Sequence, residues 1–186
     1  MNLSNPFTEE YFELKQMVLS SDMPWFFHDT TVQHDKYNFP FYSHVVQERC
    51  KKPDDNPVVK SPHFYELSVK VVNQILEFNN YKCSKIYRIN FNATQSNPTT
   101  SSPHVDHFFS HKVMLVYFSK NCGGETLIFA EEYPKYFNQY DKITLKHVVS
   151  PVEDSIIEFN GLNYHCHSSP SSGNRRVVMV VTYECT

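Results

Sequence analysis

A chain of 186 residues, 40% apolar and 15% aromatic, can build one domain with a sizeable core and is not the composition of a disordered polypeptide. Its formal net charge of −3 leaves no bulk electrostatic case for nucleic acid as a partner. Five cysteines (Cys50, Cys83, Cys122, Cys166, Cys185) without framework spacing read as free thiols in a reducing compartment, and no apolar run approaches membrane-spanning length.

In chain order, the start MNLSNPFTEEYFELK lacks the basic and apolar regions of a signal peptide, so a soluble cytoplasmic protein with no membrane partner is expected. Phe7, Tyr11, Leu14 and Val18 recur at spacings of four, three and four and predict a short amphipathic helix. Residues 20–60 alternate short aromatic pieces, Trp25-Phe26-Phe27 and Phe39-Pro40-Phe41-Tyr42, with polar turns and show no period. Residues 51–57 (KKPDDNP) read as an exposed loop. Ser61 as N-cap and Pro62 at the first helical position open a second helix. Its stripe of Phe64, Leu67, Val71, Ile75 and Phe78 runs until Asn79-Asn80 and is expected to brace the outside of a sheet.

From residue 84 the period changes to two. Strands are expected over 85–92, 112–118, 125–130, 143–149, 155–159 and 176–184. Short β-branched and aromatic strands behind two helices predict a mainly β sandwich or jelly roll rather than an α/β alternation. Gly123-Gly124 and Gly161 fall between strands, where a residue without Cβ makes tight turns. The whole of 1–186 is expected to be one domain, with a helical and irregular part over about 1–83 and a β core over about 84–186.

The chemistry concentrates at His104-Val105-Asp106. Residues two apart on a strand project to one side, so this His and Asp can share a metal. A second imidazole, from His165 or His167, would complete two nitrogens and one carboxylate on one face of an octahedral ion, leaving open positions. With ten histidines in the chain, a surface His-Asp pair is the plainer alternative. A zinc site using His165, Cys166 and His167 is disfavoured, because adjacent strand residues diverge and no CxxC partner exists. Arg88, Asn90 and Asn92 alternate on one face of 86–92, an odd choice for a core strand and a hint of a polar cavity. His107, His111 and His147 read as ordinary histidines.

IYRINFNAT (86–94), PHVDH (103–107), VMLVYFS (113–119), GGETLIF (123–129), SIIEFNGLNYH (155–165) and SSGNRRVVMVVTY (171–183), in that order and spacing, resemble the 2-oxoglutarate and iron(II)-dependent oxygenases. The likeness is to their small prolyl-hydroxylase-like and viral or marine-bacterial members. It covers roughly half the chain and implies a double-stranded β-helix (a cupin-like jelly roll) braced by the N-terminal helices.

The resemblance implies iron(II) held by His104, Asp106 and His165. His165 is favoured over His167 because Phe159-Asn160-Gly161 followed four residues on by His is similar to the family's approach; His167 and Arg88 would then support the ligands. Asp106 at this position points to hydroxylation rather than halogenation. The cosubstrate 2-oxoglutarate needs a cation for its C5 carboxylate. Gly173-Asn174-Arg175 resembles the family's Gly-x-Arg, so Arg175 is the preferred anchor, with Arg176 facing the other way as the alternative. Tyr117, Thr126 and Asn90 would add hydroxyl and amide contacts.

Dioxygen is the other cosubstrate implied, ascorbate a further cofactor, and succinate and CO2 the coproducts of C–H hydroxylation. The polar segment 93–103 (ATQSNPTTSSP) is expected to act as a lid and, with 20–60, to shape the pocket. The implied substrate is peptidyl, such as a prolyl residue, or a small molecule; a viral source would place the protein in host cytoplasm. The competing readings are a non-catalytic jelly-roll binding or virion-associated module with a vestigial metal site, and a cupin-like metalloenzyme that uses no 2-oxoglutarate. Nothing in the sequence speaks to oligomeric state.

Overall fold

Local chemistry sets the two helices. The computed structural model describes residues 2–30, 39–97, 99–120, 123–137, 139–171 and 175–185. The Thr8 hydroxyl accepts the Tyr11 N–H at 3.2 Å and caps α1 (Glu9–Leu19), with Glu9 and Glu10 favourably placed in the first turn. Tyr11, Leu14 and Val18 are buried as the spacing predicts. Phe7 drops out of that stripe: it precedes the cap at φ 52° and stays exposed. α2 (Pro62–Phe78) buries Phe64, Val71 and Ile75, whereas Leu67 is only partly buried and Phe78 at its end is exposed. Ser61 makes no side-chain capping bond; its hydroxyl pairs instead with His44 Nε2 at 2.9 Å.

The strands are β1 (Asn2–Leu3), β2 (Phe26–His28), β3 (Phe41–Gln47), β4 (Cys83–Thr94), β5 (Lys112–Tyr117), β6 (Thr126–Glu132), β7 (Leu145–Val149), β8 (Ile156–Asn160), β9 (Asn163–His167) and β10 (Arg176–Cys185). They form a seven-stranded sheet, β1-β8-β5-β10-β4-β3-β2, and a three-stranded sheet, β7-β6-β9. All pairings are antiparallel. The six expected strands are present with shifted ends. β1 and β2 are too short to show a period, and FYSHVVQ of β3 and NYHCH of β9 carry too many polar residues to read as core strands.

Segment 99–104 is not a free lid. Bridges Thr100↔Ser168 and His104↔His165 lay it along β9, continuing the smaller sheet. The Ser101 N–H donates to the His167 carbonyl at 3.0 Å, and buried Ser101 fixes the register there.

Alternation along the large sheet sorts its two faces. Phe91 and Ala93 of β4, Met114 and Val116 of β5, and Val177, Met179 and Val181 of β10 pack under α1 and α2 in the larger core. Val113, Leu115 and Tyr117 of β5 join Val178 and Val180 of β10 on the face turned to the smaller sheet, meeting Ile128, Ile157 and Phe159. Polar residues on that inner face open it into a cavity at one end.

Gly161 shows how tightly the β8–β9 turn is packed. A Cβ there would lie 2.1 Å from Nε2 of His111, whose Nδ1–H donates to the Phe109 carbonyl at 2.8 Å and whose ring meets His107 edge-on at 4.7 Å. The ring has little room to retreat. Gly161→Ala is therefore expected to destabilise the fold by about 1–3 kcal/mol, the usual cost of overpacking, measured by urea unfolding. A loss indistinguishable from zero would show that the ring moves freely.

Candidate active site

His104 and Asp106 sit where segment 99–104 leaves β9, and His165 lies opposite on β9. The pairing is reciprocal: the His104 N–H donates to the His165 carbonyl at 3.0 Å and the His165 N–H returns a bond at 2.9 Å. It sets the two imidazoles 4.7 Å apart, centroid to centroid, with Nε2 of His165 3.5 Å from Oδ2 of Asp106. Each ring is oriented by the backbone: Nδ1 of His104 lies 3.0 Å from the Ser102 carbonyl and Nδ1 of His165 3.1 Å from the Asn163 carbonyl. A carbonyl only accepts, so Nδ1 carries a hydrogen in both rings and Nε2 is the atom turned to the cavity.

Burial and the nearby His165 pull the His104 imidazole down to about 4, against the opposing pull of Asp106, so it is neutral at neutral pH. Two imidazoles and a carboxylate are the donor set that suits iron(II). Among the described residues no group of three or more His, Cys, Asp or Glu side chains stands in a geometry that holds a metal ion. Oδ1 of Asp106 is turned to two guanidiniums instead: Arg49 Nη2 and Arg88 Nη1 each donate to it at 2.9 Å. Burial alone would raise the Asp106 carboxyl; the His165 contact and the charges of Arg49 and Arg88 outweigh it and hold the group well below the usual carboxylate range. Burial, and then repulsion from Arg49, lowers Arg88 only to about 10, so it remains charged.

The second polar cluster is built on Arg176. It is 2% exposed and begins β10 on the inner face, in step with Val178 and Val180. Its Nη2 donates to the Thr126 hydroxyl at 3.0 Å, its guanidinium lies 5.2 Å from the Tyr117 ring centroid, and the Tyr117 and Thr126 hydroxyls are 2.8 Å apart. Its Nε has no partner despite full burial. Gly124 makes room for the side chain: at φ 81°, a Cβ there would stand 2.9 Å from Cδ of Arg176.

Arg175, preferred from the sequence, is placed differently. It is exposed, on the helix-side parity of the strand, with its guanidinium 5.9 Å from the Trp25 ring centroid. Strand alternation separates the two arginines, and the cavity receives Arg176. The Gly173-Asn174 part of the Gly-x-Arg likeness lies outside the described residues.

One cavity is lined by His104, Asp106, His165, His167, Arg49, Arg88, Arg176, Asn92 and Thr126, with Leu115, Val178 and Val180 as its apolar wall. His167 faces it, and burial followed by the charge of Arg176 drives its pKa well below the ordinary imidazole value. Asn90 is fully buried next to Asn92, to which its amide donates. Arg88, Asn90 and Asn92 thus share the inner face, paired across β10 with Thr182, Val180 and Val178. His107 is buried and doubly bonded, to the Cys50 carbonyl at 2.9 Å and the Thr182 hydroxyl at 2.7 Å. Sequence reasoning missed Arg49 and Phe41, both from the aperiodic stretch 20–60, where no local pattern distinguishes a lining residue.

The sequence matches no known family profile and no curated protein. The fold, however, has relatives among solved structures. A 2OG-Fe(II) oxygenase family oxidoreductase from Burkholderia pseudomallei aligns with a TM-score of 0.67 at 12% identity, over 94% of this chain and 77% of that one. SnoN, a non-heme alpha ketoglutarate dependent epimerase from nogalamycin biosynthesis, gives 0.63 at 9% identity over 99% and 76%. A prolyl hydroxylase from Trichoplax adhaerens, in complex with a hypoxia inducible factor oxygen degradation domain peptide, gives 0.56 at 12% over 98% and 82%. At these identities the common property is the jelly-roll fold. Among the described residues no helix is long and apolar enough to cross a membrane.

The buried histidines carry an acid-sensitivity prediction for the metal-free protein. His104 is lowered to about 4, and burial together with the neighbouring His111 lowers His107 to about 3. The unfolded chain binds those protons near pH 6.5, above the folded values. Their contribution to stability is therefore whole above about pH 6.5 and is lost as pH falls toward 4. The urea midpoint should decline steadily across that window; a flat midpoint would contradict neutral, buried rings.

Proposed function

We propose that this chain, having the jelly-roll fold of the 2OG-Fe(II) oxygenases, is itself an iron(II)- and 2-oxoglutarate-dependent dioxygenase. The observation that carries the reading is one cavity holding His104, Asp106 and His165 together with a fully buried arginine whose Nε lacks a partner. A buried cation with unused donors in a fixed planar fork calls for a carboxylate, and a cupin-like enzyme without a dicarboxylate cosubstrate has no use for it.

In this reading His104 and His165 present Nε2, and Asp106 presents Oδ2, to the ion. The carbonyls of Ser102 and Asn163 keep both tautomers correct, while Arg49 and Arg88 hold the Asp106 carboxylate ionised. Arg176 and the Thr126 hydroxyl hold the C5 carboxylate of 2-oxoglutarate, with Tyr117 positioning both from beneath. Leu115, Val178 and Val180 exclude water, which strengthens each of these charged contacts. The bound iron supplies dioxygen activation coupled to oxidation of 2-oxoglutarate to succinate and CO2. The product is an oxidised C–H bond, hydroxylated in the simplest outcome, on a peptidyl substrate such as the Trichoplax enzyme's complex suggests or a small molecule such as SnoN's.

Iron stoichiometry tests the ligands. Under anaerobic conditions His104→Ala, Asp106→Ala and His165→Ala should each lose most of the iron(II), while His167→Ala keeps it. Retention by His165→Ala with loss by His167→Ala would move the distal ligand by two residues.

Anaerobic addition of 2-oxoglutarate to the iron-loaded protein should produce a visible charge-transfer band that needs both components. Arg176→Ala should weaken the titration by roughly a hundredfold or more, since removing one partner of a buried charge pair costs about 2–5 kcal/mol. Arg175→Ala should stay within twofold. The reverse pattern would restore Arg175 as the anchor, and no band with any ligand set would end the cosubstrate reading.

A further inference from the structure

We propose that the substrate carries an anionic group, a carboxylate or a phosphate ester, which Arg49 and Arg88 grip at the mouth of the cavity. This deepens the dioxygenase reading and rests on it for the identity of the other charges in the site.

The charges lining the cavity are unequal. Asp106 is the only carboxylate among the described residues that line it, against three guanidiniums, those of Arg49, Arg88 and Arg176. Arg49 and Arg88 converge on the same oxygen, Oδ1, at 2.9 Å each. Orienting one carboxylate oxygen requires one donor. A second guanidinium on it brings a surplus positive charge and sets two cations side by side on one oxygen.

Filling the site does not remove the surplus. Iron(II) contributes two positive charges and the three arginines three more. Asp106 contributes one negative charge, 2-oxoglutarate two, and Glu125, whose charge reaches Arg176, one more, so the loaded site still stands at about +1 beside the open iron positions. An anionic substrate is the partner that cancels this excess, and a neutral prolyl side chain is not.

The exposure of the two side chains fits a grip rather than a brace. Asp106 is 3% exposed, Arg88 17% and Arg49 43%, so the two guanidiniums that converge on the buried carboxylate differ in their access to solvent, Arg49 being the outer one. Each guanidinium has five N–H donors in a rigid fork, and the hydrogen bond to Asp106 uses one nitrogen of each. The remaining donors of Arg49 are at the rim, where an arriving anion meets them before it reaches the ion. Phe41 on the same wall offers an apolar surface for the rest of the molecule.

Calorimetric titration of the anaerobic protein, loaded with iron(II) and saturated with 2-oxoglutarate so that Arg176 is occupied, tests this with phenylacetate, phenyl phosphate and the neutral phenylacetamide. At least one anion should bind about tenfold or more tightly than the amide, as a charge-assisted contact requires, and the better anion identifies the group. Arg49→Gln should abolish the preference and Arg49→Lys retain part of it; the exposed position of Arg49 makes both variants compatible with folding. Equal binding of all three probes, or an undiminished preference in Arg49→Gln, would overturn the proposal and leave both arginines as orienters of Asp106. Repeating the titration without iron and 2-oxoglutarate, in Arg176→Ala, separates the two readings. Arg49-dependent anion binding there, in protein that shows no charge-transfer band when wild type is loaded, would uphold the anion grip while removing the cosubstrate assignment.

Discussion

The reciprocal pair of backbone hydrogen bonds between His104 and His165 is the contact on which the site depends. It joins an irregular segment to β9 across a gap of 61 residues and sets both imidazoles on one side. Strand pairing is what makes this precise: residues directly opposite in an antiparallel pair are held within a narrow range of separation, and their side chains share a face. Asp106 then follows His104 by two residues and arrives beside the same point. A segment held by the two bridges of 99–104 to β9 cannot swing as a lid without parting His104 from His165.

Around that pairing the fold keeps two cores of different purpose. The side of the large sheet under α1 and α2 is mostly apolar, and its buried polar groups, such as His44 beside Phe64 and Phe91, are bonded within the protein. The side facing the smaller sheet is apolar only in part, and the polar residues of the cavity come from four strands of the two sheets: Arg88 and Asn92 on β4 and Arg176 at the head of β10, with Thr126 on β6 opposite His167 on β9. Burying so many charges is costly unless they are matched. Asp106 is matched by Arg49 and Arg88, whereas Arg176 is left with a hydroxyl, an aromatic face and an unused nitrogen. The two clusters therefore differ in kind: the guanidiniums of Arg49 and Arg88 meet a carboxylate, and that of Arg176 meets none within hydrogen-bond distance among the described residues.

Glycines and turns supply the clearances this arrangement needs. Gly124 stands where any side chain would press on Arg176, and Gly161 where any side chain would strike His111. Gly161 also donates its N–H to the His111 carbonyl, so the turn leading into β9 is tied to the segment that follows Asp106. The residues behind the ligands thus hold the ligand-bearing strands at their spacing through close packing, without touching the cavity.

Much of this was legible in the residues alone. His-x-Asp followed by a distant His names the donor set by residue type, the polar alternation of Arg88, Asn90 and Asn92 announced a wet inner face, and periodicity located both helices and six of the strands. These are properties of neighbours in sequence, which period-two and period-3.6 geometry convert directly into faces. The choice between Arg175 and Arg176 was of another kind. β10 is apolar on both faces, VVMVV, because one side lies under helices and the other lines a cavity; with no polar alternation the parity of its first residues cannot be read. Arg49 lies in a stretch without period, and its contact with Asp106 spans 57 residues. β9 escaped notice because its polar residues face the very site it builds. Residue types and spacing determined which donor groups the chain carries. Only the packing of strands from distant parts of the chain decided which face each residue takes, and so which arginines enter the cavity.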